Sequence, residues 1–185
     1  MPAWFNGKEQ YMNEAHHRAL PVKLAIFDID GVMTDGSLYF SDDGKEYKAF
    51  NSLDGHGLKM LRQTGVDIAI ITGRNSQVVA HRAKNLGIHH VYQGVENKLE
   101  AYLHLLEKLG LQMAQTAYMG DDVIDLPIMT RCGLAVSVPA APCEVQQYAH
   151  LITQREGGHG AVREACEFIM KAQGHYAALL AEYVR

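Results

Sequence analysis

The residues of this 185-residue chain best placed to do chemistry are carboxylates gathered in two short stretches, Asp28-Ile29-Asp30-Gly31 and Gly120-Asp121-Asp122-Val123-Ile124-Asp125. The first stretch ends an apolar run, Val22-Lys23-Leu24-Ala25-Ile26-Phe27, that reads as a buried strand. Side chains two apart on a strand point the same way, so Asp28 and Asp30 enter one cavity. Two anions a few Å apart in a partly desolvated site repel, and the arrangement calls for a shared proton or a cation. With Asp121, Asp122 and Asp125 just past another strand, a hard oxygen-seeking ion such as Mg²⁺ is the expected partner. An anionic substrate would need donors and positive charge, which Thr72-Gly73-Arg74 and Lys98 supply. This set of groups fits phosphoryl transfer. A carboxylate attacks, a metal neutralises the phosphate oxygens, a hydroxyl and an ammonium hold the transferring group, and a second acid protonates the leaving alcohol.

Such groups converge only if the chain places strand ends along one edge, and the pattern predicts this. Apolar runs at 22–27, 66–71, 90–92, 116–119, 134–138 and 150–153 read as strands. Asn97 followed by Glu100 resembles a capping box, and Leu99, Leu103, Leu106 and Gly110 give its helix an apolar stripe and a stop. Residues 56–64, 76–86, 122–131, 142–149 and 160–172 read as further helices, with Pro127 confined to a first turn. Strands alternating with helices predict an α/β fold with a doubly wound, mostly parallel sheet, which binds ligands at the carboxyl ends of its strands. Residues 37–50, with Asp43-Gly44 at a turn, break the rhythm as a small β-hairpin. The expected organisation is an N-terminal extension over 1–21, one domain over 22–174 and a tail over 175–185.

Composition excludes several classes. The chain is 48% hydrophobic and 21% charged, as for an ordinary globular domain, and its net charge of -4 comes from 17 basic and 21 acidic side chains spread along the sequence. No basic stripe points to nucleic acid or anionic lipid. Residues 1–21 lack the apolar centre of a signal peptide and no segment suits a membrane span, so a cytoplasmic location is expected. Cys132, Cys143 and Cys166 form no Cys-x-x-Cys pair and read as reduced thiols. His56 and His159, each flanked by glycines, are the histidines considered for the site.

The stretches Asp28-Ile29-Asp30-Gly31-Val32-Met33-Thr34-Asp35, Thr72-Gly73-Arg74, Lys98 and Gly120-Asp121-Asp122-Val123-Ile124-Asp125 resemble the four ordered motifs of the haloacid dehalogenase superfamily, over about residues 22–160. The resemblance implies Asp28 as nucleophile and Asp30 as general acid and base. It makes Asp28, the Asp30 carbonyl and Asp121 the Mg²⁺ ligands, and Thr72, Gly73 and Lys98 the phosphate-binding residues. Asp35, Asp122 and Asp125 are implied in supporting positions. An acid two residues after the nucleophile resembles the phosphatases of the superfamily. The gaps between motifs leave no room for a cap domain beyond the hairpin. The hairpin, Asp54-Gly55-His56-Gly57 and residues 155–164 are similar to the family of 3-deoxy-D-manno-octulosonate 8-phosphate phosphatases, which act in lipopolysaccharide precursor synthesis. That family implies a homotetramer whose hairpins meet at its centre, with Arg74, Arg82 and His56 as candidates for holding the sugar acid. Leu53 stands where relatives carry Arg, which leaves the sugar-carboxylate contact open, and a phosphatase for the nine-carbon 2-keto-3-deoxynononic acid 9-phosphate or another sugar phosphate is the close alternative. A non-catalytic oligomeric module binding a phosphorylated ligand is the alternative of another class.

Overall fold

The computed structural model describes residues 12–185. Six strands, β1 (Leu24–Phe27), β4 (Asp67–Ile71), β5 (His90–Tyr92), β6 (Thr116–Met119), β7 (Leu134–Ser137) and β8 (Leu151–Ile152), form one sheet in the order β5-β4-β1-β6-β7-β8. Every pairing in it is parallel. Each residue of β1, β6 and β7 is buried, as a central parallel sheet covered on both faces requires. The two short strands β2 (Tyr39–Phe40) and β3 (Glu46–Tyr47) make a separate antiparallel hairpin, closed by a turn in which Gly44 adopts φ 78°.

The helices are α1 over the described residues 12–19, α2 (Ser52–Gln63), α3 (Gln77–Leu86), α4 (Lys98–Leu109), α5 (Leu126–Met129), α6 (Cys143–Gln146), α7 (Ala161–Ala172) and α8 (Tyr176–Tyr183). Two departures from the sequence reading have a local cause. Helix α2 starts at Ser52 rather than 56, because the Asn51 side chain accepts from the Leu53 and Asp54 amides at 2.8 and 3.3 Å and caps it. Gly55 and Gly57 lie inside it, where a Cβ would collide with Arg82 and Arg163, so close packing rather than a loop demands them. The stretch 122–131 divides into a 3₁₀ turn, Val123–Asp125, and the one-turn α5, since Pro127 allows no longer helix around it. At 142–149 only one turn, α6, forms. Ala15 and Ala19 of α1 are fully buried, so the end of the N-terminal extension joins the core. Most of 175–185 is helix α8.

Candidate active site

In this strand order the chain leaves β1 toward β4 and β5 on one side, and later returns to β6 on the other. The loops after β1 and β6 therefore diverge, and a crevice opens at the carboxyl ends of these two adjacent strands. Asp28 and Asp121 lie there. The Asp28 amide donates to the Met119 carbonyl at 3.0 Å, which continues the β1–β6 ladder and fixes where the side chain leaves the sheet. Gly31, at φ 89°, passes so close to the Asp121 carboxylate that any side chain would strike it, so the loop after β1 is built to admit Asp121.

Lys98 is the first residue of α4, with Asn97 as N-cap accepting from the Glu100 amide at 3.4 Å. A cation at a helix N-terminus faces an unfavourable dipole, and this one is also 97% buried, at 3% exposure. Two carboxylates offset both effects: Lys98 Nζ lies 2.8 Å from Asp28 Oδ2 and 2.7 Å from Asp125 Oδ1. Burial pulls the ammonium's pKa down, yet Asp28 and Asp125 together hold it above the ordinary lysine value. Asp125 is fully buried and fully engaged. Its Oδ1 also accepts from the Tyr118 hydroxyl at 2.6 Å, and its Oδ2 from the Asp121 and Asp122 amides, each at 3.1 Å.

Asp28 and Asp121 are left differently. Asp28 Oδ1 and Asp121 Oδ1 are buried and, among the described residues, accept no hydrogen bond, and carboxylate oxygens of Asp28, Asp121 and Asp125 lie within 4.8 Å of one another. Burial, then the Asp125 charge, lifts Asp28 to about 6 against the pull of Lys98. Burial and the Asp28 and Asp125 charges lift Asp121 to about 7. Bare oxygens on clustered acids that resist ionising fit a hard divalent cation, and with Asp125 saturated by donors the open valences belong to Asp28 and Asp121.

Asp30 sits under the hairpin, ion-paired through Oδ1 to Lys48 and 3.7 Å through Oδ2 from Arg74 Nε. Arg74 also reaches Glu46 at 3.6 Å, and Glu46 accepts from the Ser76 hydroxyl. That hydrogen bond, against some burial, holds the Glu46 carboxyl below its ordinary range. The sequence reading missed Glu46, Lys48, Ser76 and Tyr118. Alternation along β3 is the signal that could have found the first two, because Glu46 and Lys48 share the face opposite Tyr47. Thr72, buried at the end of β4, anchors its loop through its amide to the Tyr92 carbonyl at 2.9 Å. At Gly73 a Cβ would meet only the Val95 carbonyl, at an ordinary 3.6 Å, which leaves that face open to a ligand.

The remaining candidates stand further out. Arg82 donates to the Asn51 carbonyl at 3.0 Å and lies over the Phe50 ring at 5.6 Å, bracing the start of α2. His56 is exposed on α2, its ring 5.6 Å from that of Tyr183. Asp122 accepts from the Val123 amide at 2.7 Å and caps the 3₁₀ turn. Asp35 accepts from the Ser37 amide at 2.9 Å. It lines a recess of about 400 Å³ with Gly31, Asp121 and His159 at the mouth of the site. Leu53 is exposed in the first turn of α2.

A parallel sheet with an acid pair at its switch point, a buried lysine between carboxylates and no cap defines a class of hydrolase. The chain belongs to the haloacid dehalogenase-like hydrolases, whose sequence model matches residues 41–133. It is 48% identical over 156 residues to the 3-deoxy-D-manno-octulosonate 8-phosphate phosphatase KdsC of Yersinia pestis, covering 84% of this chain and 83% of that protein. Among solved structures, a probable YrbI family phosphatase from Pseudomonas syringae pv. phaseolica is similar at TM-score 0.92 and 49% identity, covering 94% of this chain and 98% of that one. A 3-deoxy-D-manno-octulosonate 8-phosphate phosphatase from Moraxella catarrhalis, in complex with magnesium, phosphate and KDO, is similar at TM-score 0.91 and 44% identity, covering 93% and 99%.

Proposed function

We propose that this protein hydrolyses 3-deoxy-D-manno-octulosonate 8-phosphate to the free sugar acid and phosphate, with Mg²⁺ and through an aspartyl-phosphate on Asp28. The observation that carries the reading is the pair of buried, unpartnered carboxylate oxygens on Asp28 and Asp121 beside Lys98. The 48% identity to a phosphatase of that substrate supports it.

Asp28 attacks phosphorus while Asp30 gives its proton to the sugar oxygen as the P–O bond to the sugar breaks. Asp30 then takes a proton from water as that water attacks the phosphoryl group, and cleavage of the Asp28–phosphorus bond releases phosphate and restores the carboxylate. Lys98 orients Asp28 and balances charge on the transferring group, and Thr72 and Gly73 hold its oxygens. Magnesium, held by Asp28, Asp121 and the Asp30 carbonyl, supplies charge neutralisation at the phosphate oxygens. Arg74, 44% exposed beside Asp30, is the guanidinium best placed for the sugar carboxylate.

Phosphate release from the sugar-acid phosphate, measured with and without Mg²⁺, tests the reading. Turnover that survives Asp28→Asn or a chelator contradicts it. Leu53 is exposed in the first turn of α2 and offers a carboxylate no charge, and since 2-keto-3-deoxynononic acid 9-phosphate carries the same carboxylate, a side-by-side substrate panel separates the two substrates. Retained ligand binding with no turnover on any phosphomonoester points instead to a binding module. We further read the enzyme as cytoplasmic and tetrameric. Among the described residues no helix is long and apolar enough to cross a membrane, and the hairpin exposes Leu38, Tyr39, Phe40 and Tyr47.

A further inference from the structure

We propose that Lys48 is a positioning residue: from the inner face of the hairpin it fixes the Asp30 carboxylate in the orientation needed to pass a proton to and from the substrate's bridging oxygen. The inference rests on Asp30 being the acid and base of the proposed reaction.

The Lys48 side chain is 1% exposed, although the strands beside it have two residues each and three of those four residues are exposed. Its ammonium ion-pairs with Asp30 Oδ1 and lies 3.3 Å from Glu46 Oε1. Glu46 is tied in turn to Ser76 at the N-cap of α3 and to Arg74, so Lys48 is held through a fixed Glu46 as well as by Asp30. One oxygen of Asp30 is therefore pinned. Among the described residues the other, Oδ2, meets only Arg74 at 3.7 Å, too long for a hydrogen bond, and stays available to a leaving oxygen.

Stability does not account for this arrangement. Removing an ammonium from water is costly, and an apolar side chain of similar volume in its place is commonly neutral or stabilising. A buried lysine on so small a hairpin is better explained by the placement of its partner. Asp30 projects from the short loop after β1, and among the described residues its side chain is paired with Lys48 and, at longer range, Arg74 alone. Without Lys48 the carboxylate would sample several rotamers, and only some of them would reach the bridging oxygen.

A sugar oxygen leaves poorly unless protonated, whereas p-nitrophenolate leaves without help, so the two leaving groups isolate the proton transfer. Single-turnover formation of the aspartyl-phosphate is measured from 3-deoxy-D-manno-octulosonate 8-phosphate and from p-nitrophenyl phosphate, for the full chain and for Lys48→Met, Lys48→Arg and Asp30→Asn. Lys48→Met is expected to slow the sugar substrate on the order of 10–100-fold, below the ~10²–10⁴ of complete general-acid loss, and the aryl substrate by less than about threefold. Lys48→Arg restores most of the rate. Equal slowing of both substrates, or of neither, overturns the proposal while Asp30→Asn still discriminates between them. If Asp30→Asn treats both alike, the reading of Asp30 fails and the proposal with it. If Lys48→Met does not fold, Glu46→Gln, which loosens Lys48, carries the same comparison, and absence of the split there counts against Lys48.

Discussion

Asp125 performs no chemistry in the proposed reaction, yet more depends on it than on any acid that does. Its two oxygens take up Lys98, Tyr118 and the amides of Asp121 and Asp122, so one side chain fixes the lysine and shapes the loop that presents Asp121. Asp125→Ala leaves a buried ammonium with only Asp28 as partner, at a cost of about 3–5 kcal/mol in chemical unfolding. Asp125→Asn keeps the shape but loses the charge and is expected to cost less. Equal, small effects from both would mean that the lysine is held in some other way. Asp28 and Asp121 yield a prediction in pH. In the metal-free folded state they keep protons up to about 6 and about 7, because burial and mutual repulsion disfavour their charges, whereas in the unfolded chain they release them near ~4. The folded state binds the extra protons over that interval, so stability of the metal-free protein falls as pH rises from ~4 through ~7. Magnesium must displace those protons. The melting-temperature increment produced by MgCl₂ is therefore expected to grow between about pH 5 and about pH 8. An increment that is flat, or larger at the acid end, contradicts the assignment of both acids to the metal.

Among the elements, α2 and α7 show how a distant cap shapes the site. Helix α7 begins at Gly160 with no side-chain cap of its own, and Asp54 of α2 accepts from the Gly160 and Arg163 amides at 3.3 and 2.7 Å instead. The loop leading into α7 packs on the loop that follows β1, where Gly158 donates to the Val32 carbonyl at 3.0 Å and Gly157 has no space for a side chain beside the Gly31 carbonyl. Asp54→Ala strands a buried and a part-buried donor and is expected to cost about 1–3 kcal/mol in stability. Its activity should fall more than that of an equally destabilised surface variant, because the nucleophile loop loses its backing. A loss of stability with unchanged turnover would separate the two effects. The strands and α4 were legible from sequence because their signals are local: apolar runs of strand length, and a cap three residues before a glutamate. The start of α2 was not, since Gly55 and Gly57 look like a loop until Arg82 and Arg163 are seen against them. Alternation about Tyr47 puts Glu46 and Lys48 on one face, but in a two-residue strand it does not say that this face turns toward Asp30.

For the whole molecule, the order of four motifs was enough to place Asp28, Thr72, Lys98 and Asp121 at strand ends or a helix start, because a parallel sheet with a switch point brings such positions to one edge. What sequence order could not show is which surfaces stay bare. Tyr39 and Tyr47 are register partners across the hairpin and are 49% and 58% exposed, while Glu46 and Lys48 serve its inner face. An open site under a hairpin with an apolar exterior fits a neighbouring copy of the chain docking there, which would also hold the hairpin over Asp30. Replacing both tyrosines by glutamate places like charges where aromatic anchors would meet, at about 2 kcal/mol or more for each anchor lost. The protein is then expected to elute as smaller species in light-scattering chromatography. Turnover of the sugar-acid phosphate should fall with assembly, and raising the protein concentration should recover part of it. A fully active monomer would show that the hairpin holds Asp30 unaided, and an assembly of unchanged size would place any interface elsewhere.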